Sequence, residues 1–123
     1  MTILEVTTTA FPAYLHAVGT GERTRDTVTE FFRQAVAACK AGRHAGLLFE
    51  SRLTGRSVDD STLLFEAVSA AIPDLVMLRK LAYVPGPGQN PRSAAFAETV
   101  AINRGVDARV FENVEAAAEW LRS

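Results

Sequence analysis

Two adjacent hydroxyl residues, Ser61 and Thr62, follow an acidic pair in the segment RSVDDSTLLFEAV and are the clearest candidates for regulated chemistry. Their chemistry depends on where the helix that contains them begins. If Asp60 is the N-cap, both hydroxyls lie in the first turn, where free backbone N–H groups and the helix dipole favour a phosphate. In that case Asp60, Ser61 and Thr62 would form a phospho-acceptor site and a partner surface.

The alternative is that the helix begins at Ser57. The letters SVDD then match the Ser-x-x-Asp capping signature. Thr62 would lie beyond the first turn, with Asp59 three residues before it and Glu66 four residues after it, so a phosphate would meet like charge. This choice also gives the helix one apolar face, formed by Leu64, Ala67, Val68 and Ala71. We favour Ser57 and predict that the segment begins a helix and borders a partner-binding surface.

The loop VPGPGQNPRS is a second candidate, for binding an anion or small ligand. It leaves a predicted strand and enters a predicted helix, whose N-terminal N–H groups could hold an anion with help from Arg92 and Ser93. Its Gly86-x-Gly88 fragment lacks the third glycine and the acidic partner of a dinucleotide-binding fingerprint. We therefore favour a solvent-exposed loop whose Gly and Pro residues form turns.

The remaining reactive side chains form no catalytic pattern. His16, His44 and Cys39 are the sequence's histidines and cysteine, and their spacing matches no zinc site. Cys39 falls on an apolar helix face, which predicts a packed and unreactive thiol. Asp59 and Asp60 are adjacent helical residues that point apart, so we expect them to complement the helix dipole. Neither a catalytic residue nor a cofactor or metal is predicted.

Composition excludes several classes of function. The 123 residues are 48% hydrophobic and 22% charged, which indicates one domain, residues 1–123, with its own core. A net charge of −1 lacks the positive footprint of a nucleic-acid-binding protein. The opening letters MTILEVTTTAFPAYLHAVGT have neither a basic flank nor a long apolar run, so no signal peptide or membrane span is predicted. The single cysteine suits a reducing cytoplasm, which is the expected location.

Hydrophobic spacing predicts that strands and helices alternate along the chain. The predicted strands are TILEVT, AYLHAVGT, AGLLFE, RKLAYV and ARVFE. The predicted N-caps of the other helices are Thr24 or Asp26, Asn90 and Asn113. Gly42 and Gly105 are expected to end two helices, and Pro73 is expected to stop the helix of the DDST segment.

This order of elements predicts an α/β fold. The first two strands form an antiparallel hairpin, and right-handed crossovers through helices make the rest of the sheet parallel. The later strands are short and apolar throughout, which indicates that helices cover both of their faces.

The same order resembles the STAS and SpoIIAA-like superfamily over nearly the whole chain. The letters ARVFENVEAAAEWL resemble the closing strand and alanine-rich helix of bacterial SpoIIAA-like proteins, and LTGR and LRKLAYV also resemble that group. The resemblance implies an α/β SpoIIAA-like, or STAS-like, layered fold. Such a fold has a mainly parallel sheet, an N-terminal antiparallel hairpin and four helices.

The resemblance also implies a cytoplasmic, non-enzymatic module that binds a protein partner, such as a regulatory kinase or signalling protein, and that could form a homodimer. Anti-sigma factor antagonists of the superfamily carry Asp-Ser-Ser/Thr-Gly at the start of their second helix, and a partner kinase phosphorylates the second hydroxyl. Asp60, Ser61 and Thr62 match the first three positions, which makes Thr62 the implied acceptor, whereas Leu63 stands in place of the glycine.

Two hypotheses of function remain. The first is a regulatory module whose surface around the second and third helices meets a protein. The second is an enzyme or carrier that binds an anion, nucleotide or lipid at the loop from Pro85 to Ser93. A flat, partly apolar helical surface would favour the first, and a concave pocket with converging polar groups would favour the second.

Overall fold

The computed structural model describes residues 3–55, 60–86 and 88–123, together with their side chains except those of residues 60–64. The strands are β1 (Leu4–Ala10), β2 (Leu15–Glu22), β3 (Gly46–Thr54), β4 (Lys80–Val84) and β5 (Ala108–Val110). The helices are α1 (Arg25–Ala41), α2 (Asp60–Leu75), α3 (Pro91–Asn103) and α4 (Val114–Arg122).

The strands lie side by side in chain order, β1-β2-β3-β4-β5, in one five-stranded sheet. β1 pairs antiparallel with β2, and each later pair is parallel. The predicted α/β class with an N-terminal hairpin is therefore confirmed. Because parallel crossovers are right-handed and each new strand is added on the same side, α1, α2 and α3 all lie on one face of the sheet.

The larger core lies between the sheet and α1, α2 and α3. Its centre is aromatic: the ring of Phe49 on β3 meets Phe31 of α1 edge to face at 5.6 Å and Phe32 at 4.5 Å, between centroids. Gly19 on β2 makes this packing possible, since a Cβ there would lie 2.8 Å from the Phe31 ring. Thr24 is the N-cap of α1 and its side chain accepts from the Thr27 N–H, so of the two predicted caps, Thr24 and Asp26, the structure has Thr24.

A smaller core lies on the opposite face, under α4. Its buried members are Tyr14, Leu48, Ala82, Val84, Ala117, Ala118 and Leu121. The expectation that both faces of the later strands are covered is thus confirmed for β3 and β4. In the part of the chain that the structure describes, α4 packs on β3 and β4 and leaves this face open over β1 and β2. Threonines Thr7 and Thr9 are exposed there, and His16 and Thr20 are half-buried.

The expectation that Pro73 stops the second helix is wrong, because α2 continues to Leu75 with Pro73 inside it. A proline removes one backbone donor, but the residues that follow can still bond, and the Val76 N–H donates to Ile72 O at 3.0 Å. Leu75 is buried in the larger core, so packing holds the last turn in place.

Candidate functional site

The predicted phospho-acceptor residues lie at the start of α2. The backbone of Asp60, Ser61 and Thr62 is helical, whereas their side chains lie outside the described part of the structure. Ser57 and Asp59, on which the choice of cap depends, also fall outside the described residues. The assignment of Thr62 as an acceptor therefore stays a prediction.

One turn further along α2, Phe65 forms an exposed aromatic pair with Phe96 of α3. Phe65 of α2 and Phe96 of α3 stack at 6.2 Å between ring centroids, and they remain 38% and 46% exposed. The guanidinium carbon of Arg104 lies 6.0 Å from the centroid of Phe65. We call Phe65, Phe96 and Arg104 the α2–α3 aromatic surface. Sequence reasoning pointed to the region around these helices but missed the rings themselves, since nothing in the spacing pairs residues 65 and 96.

The loop before α3 is closed by its own side chains. The Gln89 Oε1 accepts from the Tyr83 hydroxyl at 2.8 Å and from the Gly86 N–H at 3.3 Å. At the start of α3 the Asn90 side chain caps the helix by accepting from the Arg92 N–H at 2.9 Å. The backbone N–H groups of Gly86 and Arg92, which could have faced an anion, are thus bonded to side chains of the same chain.

The four residues predicted for this anion or ligand site have different surroundings. Gly86 lies against β3, where a Cβ would come within 2.8 Å of the Ser51 carbonyl oxygen, and Gly88 has a positive φ of 74° as part of a turn. Arg92 is exposed, whereas Ser93 is buried. A ligand role for this loop stays a prediction, and the geometry is that of a tight turn leading into a capped helix.

A polar cluster that sequence reasoning did not predict lies on the open face of the sheet. The buried Glu50 side chain bonds to His16 Nε2 through Oε1 at 2.8 Å and accepts from Arg52 Nε through Oε2 at 2.5 Å. Burial raises the pKa of Glu50, but the hydrogen bonds from Arg52 and His16 outweigh burial and leave that pKa lowered. The signal in the sequence was an acidic residue at the end of a predicted apolar strand, because a carboxylate needs a partner when it is buried.

The prediction of a packed thiol at Cys39 is confirmed. The side chain is buried, and its Sγ lies 3.6 Å from the His44 carbonyl oxygen and 3.7 Å from that of Gly46. Burial raises the pKa of Cys39 to about 11, so the thiolate is scarce at neutral pH. This cysteine therefore contributes packing to the core.

The space beneath α3 is narrow and apolar. A cleft between Ala97, Ala101, Val68 and Leu81 encloses about 30 Å³, whereas small-molecule sites usually measure about 300–1,000 Å³. Within the described ranges, no group of three or more His, Cys, Asp or Glu side chains is placed to hold a metal ion. In that same part of the chain, no helix combines the length and apolar character needed to span a bilayer.

Comparison with known proteins adds evidence about the fold. No protein-family model matches the sequence, and no curated protein matches it either. Among solved structures, the chain is similar to an uncharacterized protein of the DUF3478 family with a SpoIIAA-like fold from Shewanella loihica PV-4. The two share 15% sequence identity with a TM-score of 0.58, over 98% of this chain and 95% of that one.

The similarity at this level of identity concerns architecture. It extends over nearly the whole chain and agrees with the mixed sheet, the N-terminal hairpin and the alternation of strands and helices. This chain has a SpoIIAA-like fold.

Proposed function

We propose that this chain is a non-enzymatic regulatory module that binds a protein partner through the α2–α3 aromatic surface. The observation that carries the proposal is the stacking of two exposed phenyl rings from different helices, Phe65 and Phe96, beside the guanidinium of Arg104. The partner that we expect is a regulatory kinase or signalling protein of the cytoplasm, as the superfamily resemblance implies.

The chemistry of this surface supports the proposal. Aromatic and arginine side chains are enriched among the residues that contribute most to protein–protein affinity. The two rings hold each other in position before a partner arrives, so less conformational entropy is lost on binding. Arg104 places a cation near a ring face, where it can pair with an acidic group of the partner while the ring buries apolar area.

The position of the surface also supports regulation. Thr62 precedes Phe65 by three residues in α2, which is about one helical turn. A phosphate on Thr62 would add negative charge within one turn of the aromatic ring and four residues before Glu66. Under this proposal the apolar rings supply affinity, and phosphorylation would weaken the binding of an acidic partner.

The test is a comparative capture experiment from cells of the native organism. We expect the tagged wild-type protein to retain a partner that the double variant F65A/F96A loses, because truncation of each central aromatic costs about 2 kcal/mol of binding free energy. Ile102→Ala is the matched control, since Ile102 is an exposed apolar residue of α3 outside the stacked pair. Equal retention by the wild type and the double variant, with both folded, would contradict the proposal.

A further inference from the structure

Strand β1 forms one edge of the sheet, and it carries few of the features that prevent edge strands from pairing with another chain. It is 7 residues long and contains no proline, lysine or arginine. The opposite edge strand, β5, has 3 residues and includes Arg109. Natural proteins usually protect an exposed edge by making it short or by adding positive charge, proline or a bulge. β5 is protected in this way and β1 is not.

The backbone groups that face this free edge can be identified. Glu5 pairs directly with Thr20, and the Thr20 hydroxyl donates to the Glu5 carbonyl oxygen at 3.3 Å, so the polar backbone groups of Glu5 face β2. Hydrogen-bonding direction alternates along a strand of an antiparallel pair. The N–H and C=O groups that point away from the sheet therefore belong to Leu4, Val6, Thr8 and Ala10.

The side chains around β1 are complementary to their own copy in one antiparallel register. When Thr7 lies opposite Thr7 of a second copy, Val6 pairs with Thr8 and Leu4 pairs with Ala10. These are the residues whose backbone groups face the free edge. The acidic Glu5 then lies opposite Thr9, so no like charges are paired. In this register, each of the four residues with free backbone groups lies opposite another such residue of the second copy.

The same register also pairs the two large apolar residues that flank β1. Ile3, which precedes the strand, is 71% exposed, and Phe11, which follows it, is 40% exposed. Centring on Thr7 places each of them opposite the other in the second copy. A shift of two residues in one direction separates Phe11 from Ile3 and moves it opposite Met1, outside the described residues, and the opposite shift places Glu5 against Phe11. Both exposed apolar residues thus point to the same partner, namely another copy of this chain.

We propose that two copies of this chain associate by antiparallel β1–β1 pairing centred on Thr7, joining two five-stranded sheets into one continuous sheet. Among the described residues, the face that carries Thr7 and Thr9 is open over β1 and β2, so α4 does not obstruct the second copy, and α1 packs on the opposite face of β1. This surface lies on a different element from the α2–α3 aromatic surface, and the two proposals are independent.

The first test replaces the residue on the two-fold axis. Thr7→Arg places two like charges directly opposite each other in the dimer, whereas in the monomer the side chain is exposed. We expect the wild type to sediment with a mass approaching twice 13.3 kDa. Thr7→Arg should weaken association by about tenfold or more. Thr99→Arg is the matched control, because it makes the same change on an exposed position of α3, which packs on β5 and α2 away from β1.

The second test checks the register. Mixing Thr7→Arg with Thr7→Glu places opposite charges across the axis, so we expect a mixed dimer that is tighter than either variant alone, measured by native mass spectrometry. Circular dichroism confirms that each variant is folded. Two results would overturn the proposal: a wild-type protein that stays at 13.3 kDa up to about 1 mM, or a dimer that is insensitive to charge at position 7.

Discussion

The two faces of the sheet differ in what their side chains do. On the face under α1, α2 and α3, Phe31, Phe32 and Phe49 form a packed aromatic centre. On the other face, α4 packs on β3 and β4, β1 carries exposed threonines, and the Glu50 cluster joins His16 of β2 to Glu50 and Arg52 of β3. One face therefore holds the fold together by apolar burial, while the other keeps part of a sheet in contact with water. The difference indicates where substitutions should cost stability and where they should affect only surface interactions.

The largest expected effect is on the aromatic centre. Phe49→Ala removes a fully buried ring that contacts Phe31 and Phe32, and it should lower the free energy of unfolding by about 3–5 kcal/mol, measured by urea denaturation. Thr7→Ala on the open face is the control, and it should change stability by less than about 0.5 kcal/mol. Equal effects of the two substitutions would show that the faces do not differ as described.

Two adjacent residues of β2 sharpen the comparison. Gly19→Ala points a new Cβ into the Phe31 ring, where the nearest atoms would be 2.8–2.9 Å away. We expect a loss of about 1–3 kcal/mol from overpacking, seen as a lower thermal midpoint. Thr20→Ala, on the opposite face, should be within about 0.5 kcal/mol of the wild type. A tolerated Gly19→Ala would mean that the ring has room to shift.

The Glu50 cluster tests the open face through its dependence on pH. The pKa of Glu50 is lowered in the folded protein, so its contribution to stability is present above the unfolded carboxyl pKa and is lost as pH falls through the folded value. Glu50→Gln should cost about 1–2 kcal/mol at neutral pH, because two charge-assisted hydrogen bonds are weakened. The difference between this variant and the wild type should shrink as the solution is made acidic.

Glu30→Gln is the control for that experiment. Hydrogen bonds from Arg33 and Gln34 lower the pKa of Glu30 to about 2, but this carboxylate lies on the surface of α1. Solvent screens such pairs, so we expect the substitution to change stability less than Glu50→Gln does. A larger loss of stability at Glu30 would contradict the conclusion that Glu50 contributes more to the stability of the fold than Glu30 does.

The smallest expected effect concerns small ligands. The side chains of Gln89 and Asn90 already bond to Tyr83, Gly86 and Arg92, so nucleotides and small anions should leave the thermal midpoint unchanged in a shift assay. Strong stabilisation by any one compound would instead favour the ligand-binding hypothesis for Arg92 and Ser93.

Local signals in the sequence were sufficient for much of the fold. The apolar spacing of α1 and the caps at Thr24, Asn90 and Asn113 are properties of neighbouring residues, and the structure has all of them. The hairpin and the parallel order followed from alternation and from the handedness of crossovers. Strand ends were less predictable: β1 continues to Ala10 because it pairs with Leu15, which is a contact between strands.

The candidate sites depend on contacts between distant residues, which local patterns do not contain. His16 and Glu50 are 34 positions apart and meet because β2 and β3 are neighbours. Phe65 and Phe96 meet because α2 and α3 pack side by side. The sequence could indicate that these residues were unusual, but pairing them required the arrangement of the sheet.

The chain-order arrangement of the strands has a consequence for how the protein is made. Each strand adds beside the one synthesised just before it, so the large core can assemble progressively as the polypeptide leaves the ribosome. The smaller core cannot assemble in this way, because Tyr14 of the N-terminal hairpin packs with Leu121 of α4, which is synthesised after all the strands. We expect nascent chains that lack α4 to acquire a protected aromatic interior early, while the opposite side stays accessible to chaperones until α4 has emerged.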